Sequence, residues 1–209
     1  MLVRVSCFFI FTFFFLVSAP VEAVVVSSVS ALRNAVDNAN NGGDKTILIA
    51  DGQYDMPGIA LSITADGVTV RGQSGNRSAV VLDNLYVKAG TSGIFRITSS
   101  NVTIADLTLK RPYYHAIHIS PGGGRSTEKI LIDNVHIIDP GEQAIKINAD
   151  TYDNPSYRVN NGTIQNCLME LTDTGRVNLT SPSHPCYTGG VDGHWAQNWI
   201  IRDNVIRGF

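Results

Sequence analysis

Four ionisable residues stand at the same place in four similar short phrases of the sequence. Arg96 lies in IFRI, His118 in AIHI, Lys146 in AIKI and Asp192 in GVDG. Guanidinium and ammonium groups bind carboxylates, while an imidazole or an amine can take up or release a proton. A surface that combines these groups could bind an anionic ligand and transfer protons to or from it.

The alternation of apolar and polar residues in these phrases predicts short strands with one buried face. Successive side chains of a strand point to opposite faces of its sheet, so the isoleucines are predicted to face the core. His118 and Lys146 would then face solvent. If the phrases stack as neighbouring strands, their polar side chains form a row with a spacing of about 4.8 Å. We call this the polar row; it consists of Ser62, Arg96, His118, Lys146 and Asp192.

Further candidate binding residues surround the polar row. Asn148 and His194 come two positions after Lys146 and Asp192, so they are predicted to share the same sheet face. Other candidates lie in long segments between the phrases, and long loops in a compact fold are usually functional or disordered. These loop candidates are Arg111, Tyr114, Tyr152, Arg158 and Trp195.

The sequence repeats itself at a fixed interval. IADLTLKRPYYHAIHIS at 104–120 aligns without a gap on IDNVHIIDPGEQAIKIN at 132–148. A period of about 20 to 50 residues made of strand-sized phrases indicates a solenoid. Each unit contains three such phrases, for example ILI, VHI and AIKI, which predicts an all-β chain coiled as a single-stranded parallel β-helix.

A polar residue marks the tight turn after the first strand of most units. Asn and Asp tolerate turn geometry and can hydrogen-bond to neighbouring backbone, so we expect them to stack in a ladder. The ladder consists of Asp51, Asp106, Asn134, Asn166 and Asp203, with Gly72 as the exception.

The two ends of the solenoid are predicted to differ. SALRNAVDNAN at 30–40 has helical spacing of its apolar residues Leu32, Ala35, Val36 and Ala39, with Ser30 as the expected N-cap. This short N-terminal α-helix would cap the first repeat unit. NWIIRDNVIRGF at 198–209 stops within a unit, so the C-terminal end is predicted to be uncapped. We expect either that the chain is truncated or that another subunit covers this end.

The segment 1–23 is predicted to be a secretory signal peptide, because Arg4 precedes an apolar run at 5–17 and SAPVEA follows. The segment 24–209 would then form one β-helix domain, secreted to an extracellular or periplasmic location and without membrane association. The formal net charge of −2 gives no bulk attraction for nucleic acid. Cys167 and Cys186 remain in the mature chain, and whether they pair is open.

The motifs resemble those of a known family. The opening GGDKTILIADGQY at 42–54, the phrases NVTIADLTL and NWIIRDNVI, the signal peptide and the ladder are similar to secreted right-handed parallel β-helix proteins of the pectate-lyase-like superfamily. The opening phrase is most similar to the alginate lyase and chondroitinase B group. This resemblance spans nearly the whole mature chain and implies fold more strongly than activity.

The resemblance implies a groove that binds an acidic polysaccharide and an elimination reaction on its uronic acids. In such lyases a cation offsets the sugar carboxylate, a base removes the C5 proton and a donor protonates the leaving oxygen. Lys146 is the expected base, with its pKa lowered by burial and nearby positive charge. Arg96 and Arg111 would hold the carboxylate, and His118 or Tyr114 would donate the proton.

The same surface is also compatible with a noncatalytic glycan-binding or adhesive protein, or with a uronan C5-epimerase. Asn148, Tyr152, Arg158, Asp192, His194 and Trp195 are the expected substrate-binding residues, with Trp195 as a stacking platform for sugar. Asp192, even together with Asp150 and Asp153, offers too few oxygen ligands for Ca²⁺. No metal and no cofactor are predicted.

Overall fold

The computed structural model describes residues 23–88, 93–179 and 187–209. The predicted signal peptide therefore lies outside the described residues except for Ala23, and so do His184 and Cys186. Cys167 is buried with a free thiol, and burial raises the pKa of that thiol to about 11. Within the described residues no helix is long and apolar enough to cross a bilayer.

The described chain is mostly β-structure. Its helices are α1 (Val29–Asn40) and the single turn α2 (Asp173–Arg176). Its strands are β1 (Ala23–Val26), β2 (Thr46–Ile49), β3 (Gly52–Asp55), β4 (Leu61–Ile63), β5 (Thr69–Gly72), β6 (Val80–Asp83), β7 (Gly93–Ile97), β8 (Thr103–Lys110), β9 (His115–Ile119), β10 (Thr127–Glu128), β11 (Leu131–Ile138), β12 (Gln143–Ile147), β13 (Val159–Asn160), β14 (Thr163–Gln165), β15 (Leu168–Glu170), β16 (Gly189–Gly193), β17 (Ile200–Arg202) and β18 (Val205–Arg207).

Parallel pairing organises these strands into sheets. The larger sheet follows the order β1-β2-β5-β8-β11-β14-β17 and also includes β3, β6, β15 and β18. The second sheet has the order β4-β7-β9-β12-β16, and β10 pairs with β13. Strands β8 and β11 pair at the same offset as the repeated phrases, with Ile104 opposite Ile132. The repeat in the sequence is thus a repeat of strand register.

The second sheet has the register predicted for the polar row. Ser62 pairs with Arg96, Arg96 with His118, His118 with Lys146, and Lys146 with Asp192. The flanking apolar residues of these strands, such as Ile117, Ile119, Ile145 and Ile147, are buried in the core. The alternation of core and polar faces is therefore confirmed.

The turn ladder is confirmed for most of its members. Asp106, Asn134, Asn166 and Asp203 have φ values between 53° and 56°, the left-handed region that Asn and Asp tolerate. Asn134 Nδ2 donates to Asp106 Oδ1 at 2.8 Å. Gly72 is the exception because a Cβ there would lie 2.2 Å from the backbone oxygen of Asp106.

Asp51 does not share the ladder geometry. The φ of Asp51 is not positive, and its Oδ1 accepts a hydrogen bond of 2.7 Å from Ser74 Oγ. Gly52, with φ of 159°, follows Asp51 and begins β3. The turn at Asp51 therefore lacks the left-handed backbone conformation of the other ladder residues.

Helix α1 packs on β1, β2 and β4 and buries the four predicted residues, Leu32, Ala35, Val36 and Ala39. Its N-cap is Ser28 and not the expected Ser30. Ser28 has an extended backbone and its hydroxyl accepts from the Ala31 N–H at 3.1 Å, so Ser30 already belongs to the first turn. At the other end, Asn40 Nδ2 donates to the Ser62 carbonyl at 2.7 Å and fastens the helix to β4.

The last strands leave apolar side chains accessible. Ile201 and Ile206 lie in register with the buried Ile164 and Met169, yet they are 51% and 47% exposed. Among the described strands, none pairs with β17 or β18 on their outer side.

We expect neighbouring positions of β11 to differ sharply in their contribution to stability. Ile137 is fully buried, whereas Ile138 points to the other face of the sheet and is only half-buried. Ile137→Ala should lower the free energy of unfolding by about 2–5 kcal/mol because it leaves a cavity. Ile138→Ala should cost about 1 kcal/mol or less. Urea unfolding measures both, and equal losses would contradict the assigned faces.

Candidate functional site

The polar row forms the centre of a cluster of ionisable side chains on the second sheet. The sheet brings Arg96, His118, Lys146 and Asp192 together although they are far apart in the sequence. Asn148 and His194 join them through side-chain contacts. Tyr152, Arg158 and Trp195 extend the cluster at the carboxyl ends of the strands.

Lys146 is buried and paired, which differs from the expectation that it faces solvent. Its side chain is only 4% exposed because Asp192 and Tyr187 lie against it. The ammonium group donates to Asp192 Oδ2 and, at 3.3 Å, to the Tyr187 hydroxyl. Burial alone would lower the pKa of Lys146, but these hydrogen bonds and the Asp192 charge outweigh it and raise the pKa. The prediction of a lowered pKa was wrong, and Lys146 stays cationic at neutral pH.

Asp192 links Lys146 to His194, which follows the end of β16. Its Oδ1 lies 2.9 Å from His194 Nε2, while Oδ2 accepts from Lys146. The His194 ring in turn meets the Tyr152 ring edge-on, with centroids 5.1 Å apart. Asp192 is thus held between two basic groups, which leaves its carboxylate neutralised.

His118 is a neutral imidazole between two cations. Burial, and then the charges of Arg96 and Lys146, lower its pKa to about 4 despite a hydrogen bond with Asn148. Its Nε2 lies 3.2 Å from Asn148 Oδ1. An amide oxygen only accepts, so Nε2 carries the ring proton and the lone pair is on Nδ1. At neutral pH the ring is therefore a proton acceptor.

A second histidine lies beside His118, with ring centroids 5.5 Å apart. His115 is 6% exposed, and burial, followed by the charge of His118, lowers its pKa to about 3. Its Nδ1 lies 3.2 Å from the Gln143 carbonyl and its Nε2 lies 3.5 Å from Glu142 Oε2. Burial raises the pKa of Glu142, although the charge of Lys146 opposes this rise.

Arg96 differs from Lys146, the other cation of the polar row. It is half-buried, and within the described residues it makes no ion pair with a carboxylate. Its strand neighbours are Ser62 and the neutral His118. Desolvation of an uncompensated guanidinium is costly, and an anionic ligand would offset that cost.

An aromatic group lies where β16 ends. Trp195 is 46% exposed, and its Nε1–H donates to the Tyr152 carbonyl at 2.7 Å. The guanidinium of Arg158 lies 5.4 Å from the centre of the indole ring. Tyr152 and Arg158, from one long loop, and Trp195, which follows β16, therefore form one contact group.

A second aromatic group precedes β9. Tyr113 and Tyr114 meet edge-on at 4.6 Å, and the Lys88 ammonium lies 5.7 Å from the Tyr114 ring. A hydrogen bond with Tyr114 raises the pKa of Lys88. The Tyr114 hydroxyl is thus engaged by a lysine outside the polar row.

Sequence reasoning missed Tyr187 and Glu142, which contact Lys146 and His115. Tyr187 has no distinctive motif. Glu142 immediately precedes β12 and lies beside β9 in the register of the repeat, so the gapless alignment could have placed it next to His115. Another histidine lies elsewhere: His136 is on the larger sheet, with Nε2 2.8 Å from Glu170 Oε1.

Arg111 has a partner that the sequence did not reveal. Its guanidinium makes a two-point contact with Asp83, with Nη2 2.5 Å from Oδ2 and Nε 2.9 Å from Oδ1. The Asp83 side chain is 1% exposed. Since Arg111 is already bound by a protein carboxylate, we assign it a structural role in place of the expected contact with a ligand.

No cluster of three or more His, Cys, Asp or Glu side chains suited to a metal ion occurs in the described part of the chain. No protein-family model matches the sequence, and a search of curated proteins finds no match.

We expect Arg111→Met to destabilise the protein by about 3–5 kcal/mol, because it leaves the Asp83 carboxylate buried without a partner. The matched control is Arg71→Met, which removes a more exposed ion pair with Asp106 and should cost about 1 kcal/mol or less. Denaturant unfolding measures both variants. If Arg111→Met lowers the free energy of unfolding no more than the control does, the structural role of Arg111 is contradicted.

Proposed function

We propose that this chain is an exported, right-handed, single-stranded parallel β-helix that binds acidic polysaccharide along the polar row. Support for the coil comes from the pairing pattern: between β9 and β12, neighbours in one sheet, the chain contributes β11 to the other sheet, and β8 does the same between β7 and β9. The register of the repeat and the resemblance of the opening phrase point the same way.

The observation that carries the binding proposal is the half-buried guanidinium of Arg96, which no carboxylate of the described chain neutralises. Lys146 is neutralised by Asp192, and His118 is neutral, so Arg96 supplies the uncompensated positive charge of the polar row. A guanidinium presents donors in a planar fork that matches a carboxylate. Uronic acids provide such a carboxylate on each sugar ring.

The shape of the polar row favours a chain of sugars over a single one. Five strands at a spacing of about 4.8 Å make a row about 20 Å long. Hydroxyl, amide and imidazole groups accompany the charges along it, namely Ser62, His118 and Asn148, and these suit sugar hydroxyls. Aromatic groups lie at both loop sides of the sheet.

We expect Arg96→Met to weaken the binding of acidic oligosaccharides by about 10- to 100-fold, the loss of one charge-assisted contact. Alginate, pectate and chondroitin sulfate oligosaccharides would be titrated by calorimetry. Arg202→Met is the matched control, because Arg202 is an exposed arginine on the larger sheet that bonds to Gln165. Equal affinity of Arg96→Met and the wild type for each of these oligosaccharides would reject the proposal.

A second candidate function is β-elimination of the bound uronate. The observation that favours it is the neutral imidazole of His118 beside Arg96, because a base must be unprotonated and the sugar carboxylate must be neutralised. His118 then replaces Lys146 as the base and removes the C5 proton, while Arg96 holds the carboxylate. The Tyr187 hydroxyl next to Lys146 gives a proton to the leaving oxygen as the C4–O bond breaks. Proton removal from C5 followed by return of a proton to the opposite face, without cleavage of the C4–O bond, would instead give C5-epimerisation.

The elimination candidate predicts an unsaturated sugar that absorbs ultraviolet light, formed when the C4–O bond breaks. The rate should fall as the pH falls through about 4, because protonation of His118 removes the base. His118→Gln should lower the rate by about 100-fold or more. His136→Gln, which alters a histidine on the larger sheet, should leave it unchanged. Absorbance and product sizing detect cleavage, and full activity of His118→Gln would exclude this mechanism.

A further inference from the structure

We propose that the indole of Trp195 is a separate sugar-binding position, at which the apolar face of a pyranose ring stacks and contributes affinity without using charge. This inference rests on the proposed function, since it takes the ligand to be a polysaccharide. It concerns a different contact from that of Arg96.

The backbone of Trp195 indicates that the position of this side chain is imposed by its surroundings. Its φ of 58° lies in the left-handed region, which is strained for a bulky residue. Asn and Asp are common at such positions, and a large aromatic is unusual there. Such strain persists only where neighbouring contacts fix it, and it is often found at binding sites.

Burial in the core does not account for this strain. Trp195 remains 46% exposed, whereas Trp199 packs against the core and donates its Nε1–H to the Val159 carbonyl at 3.0 Å. A tryptophan kept at the surface forgoes much of the stabilisation that burial of its ring would give. An exposed, strained indole therefore needs another explanation.

The contacts of Trp195 orient the ring. Its polar edge is held by the hydrogen bond to the Tyr152 carbonyl, and the Arg158 guanidinium lies over the ring. A cation packed on the indole occupies one ring face. The accessible surface then belongs to the opposite face and the rim, which is a rigid, flat, apolar platform.

The platform is continuous with the polar row. Trp195 directly follows His194, which contacts Asp192 on one side and the Tyr152 ring on the other. A polysaccharide bound at Arg96 and running past Lys146 and Asp192 would reach Trp195 at the end of the second sheet. The C–H groups on one face of a pyranose ring match the indole, whether or not the sugar carries a carboxylate.

The test uses a variant that removes the ring and relieves the backbone. Asn tolerates the left-handed region, so Trp195→Asn should keep the unfolding midpoint unchanged or raise it, while it weakens binding of alginate or pectate oligosaccharides by about 5- to 10-fold. Trp195→Phe should retain most of the affinity. A purely structural indole would give the opposite pattern, with lower stability and unchanged affinity.

Salt and fluorescence separate this proposal from that for Arg96. The loss of affinity caused by Trp195→Asn should be the same at low and high ionic strength. The loss of affinity caused by Arg96→Met should become smaller as salt screens the charge. The chain contains two tryptophans. Quenching of emission by oligosaccharide should therefore persist in Trp199→Phe and disappear in Trp195→Asn.

The outcomes are distinguishable. If Trp195→Asn binds oligosaccharide as tightly as the wild type while Arg96→Met binds it more weakly, the stacking position alone is overturned. Quenching of Trp195 by neutral oligosaccharides, with no binding of acidic ones, overturns the acidic-ligand proposal and supports the stacking position. Absence of binding to every oligosaccharide overturns both.

Discussion

In-register parallel pairing of strands is the constraint on which the rest of the structure depends. The offset of the repeat places Ile104 beside Ile132, and in-register pairing places Arg96, His118, Lys146 and Asp192 on adjacent strands although the sequence intervals between them are unequal. Side chains alternate between the faces of a strand, so the pairing that aligns the aliphatic core also aligns the polar row. A slip by one residue would bury the charges and expose the core.

Once the polar row exists, burial and neighbouring charges decide the protonation of its members. Lys146 and His118 are strand neighbours in similar surroundings, yet their pKa values move in opposite directions. Lys146 has a carboxylate in contact, and His118 has cations on both sides. The consequence is an ammonium group that is paired and an imidazole that is a proton acceptor, the reverse of the roles that the family resemblance implied.

The left-handed backbone positions illustrate two different uses of one conformation. At Asp106 and Asn134 it closes a turn, and the side chains bond to each other, so residue type and backbone agree. At Trp195 the residue type disagrees with the backbone, and the contacts with Tyr152 and Arg158 hold the ring in place. Disagreement between local preference and observed geometry at an exposed ring supports the proposed contact of Trp195 with a ligand.

Periodicity was enough to predict the regular parts of this protein from its residues. Alternation and the repeat indicated the all-β class, the register of the polar row, the ladder at Asp106 and Asn134, and the buried face of α1. These features depend on regular local geometry. The pairs Arg111–Asp83 and His115–Glu142 lie at or near the spacing of the repeat, so the periodicity was compatible with them, and the fold decided that their side chains meet. The folded chain alone revealed that Lys146 is buried against Tyr187. The contact with Tyr187 depends on where the residues just before β16 lie relative to the second sheet, and residue spacing carries no record of that.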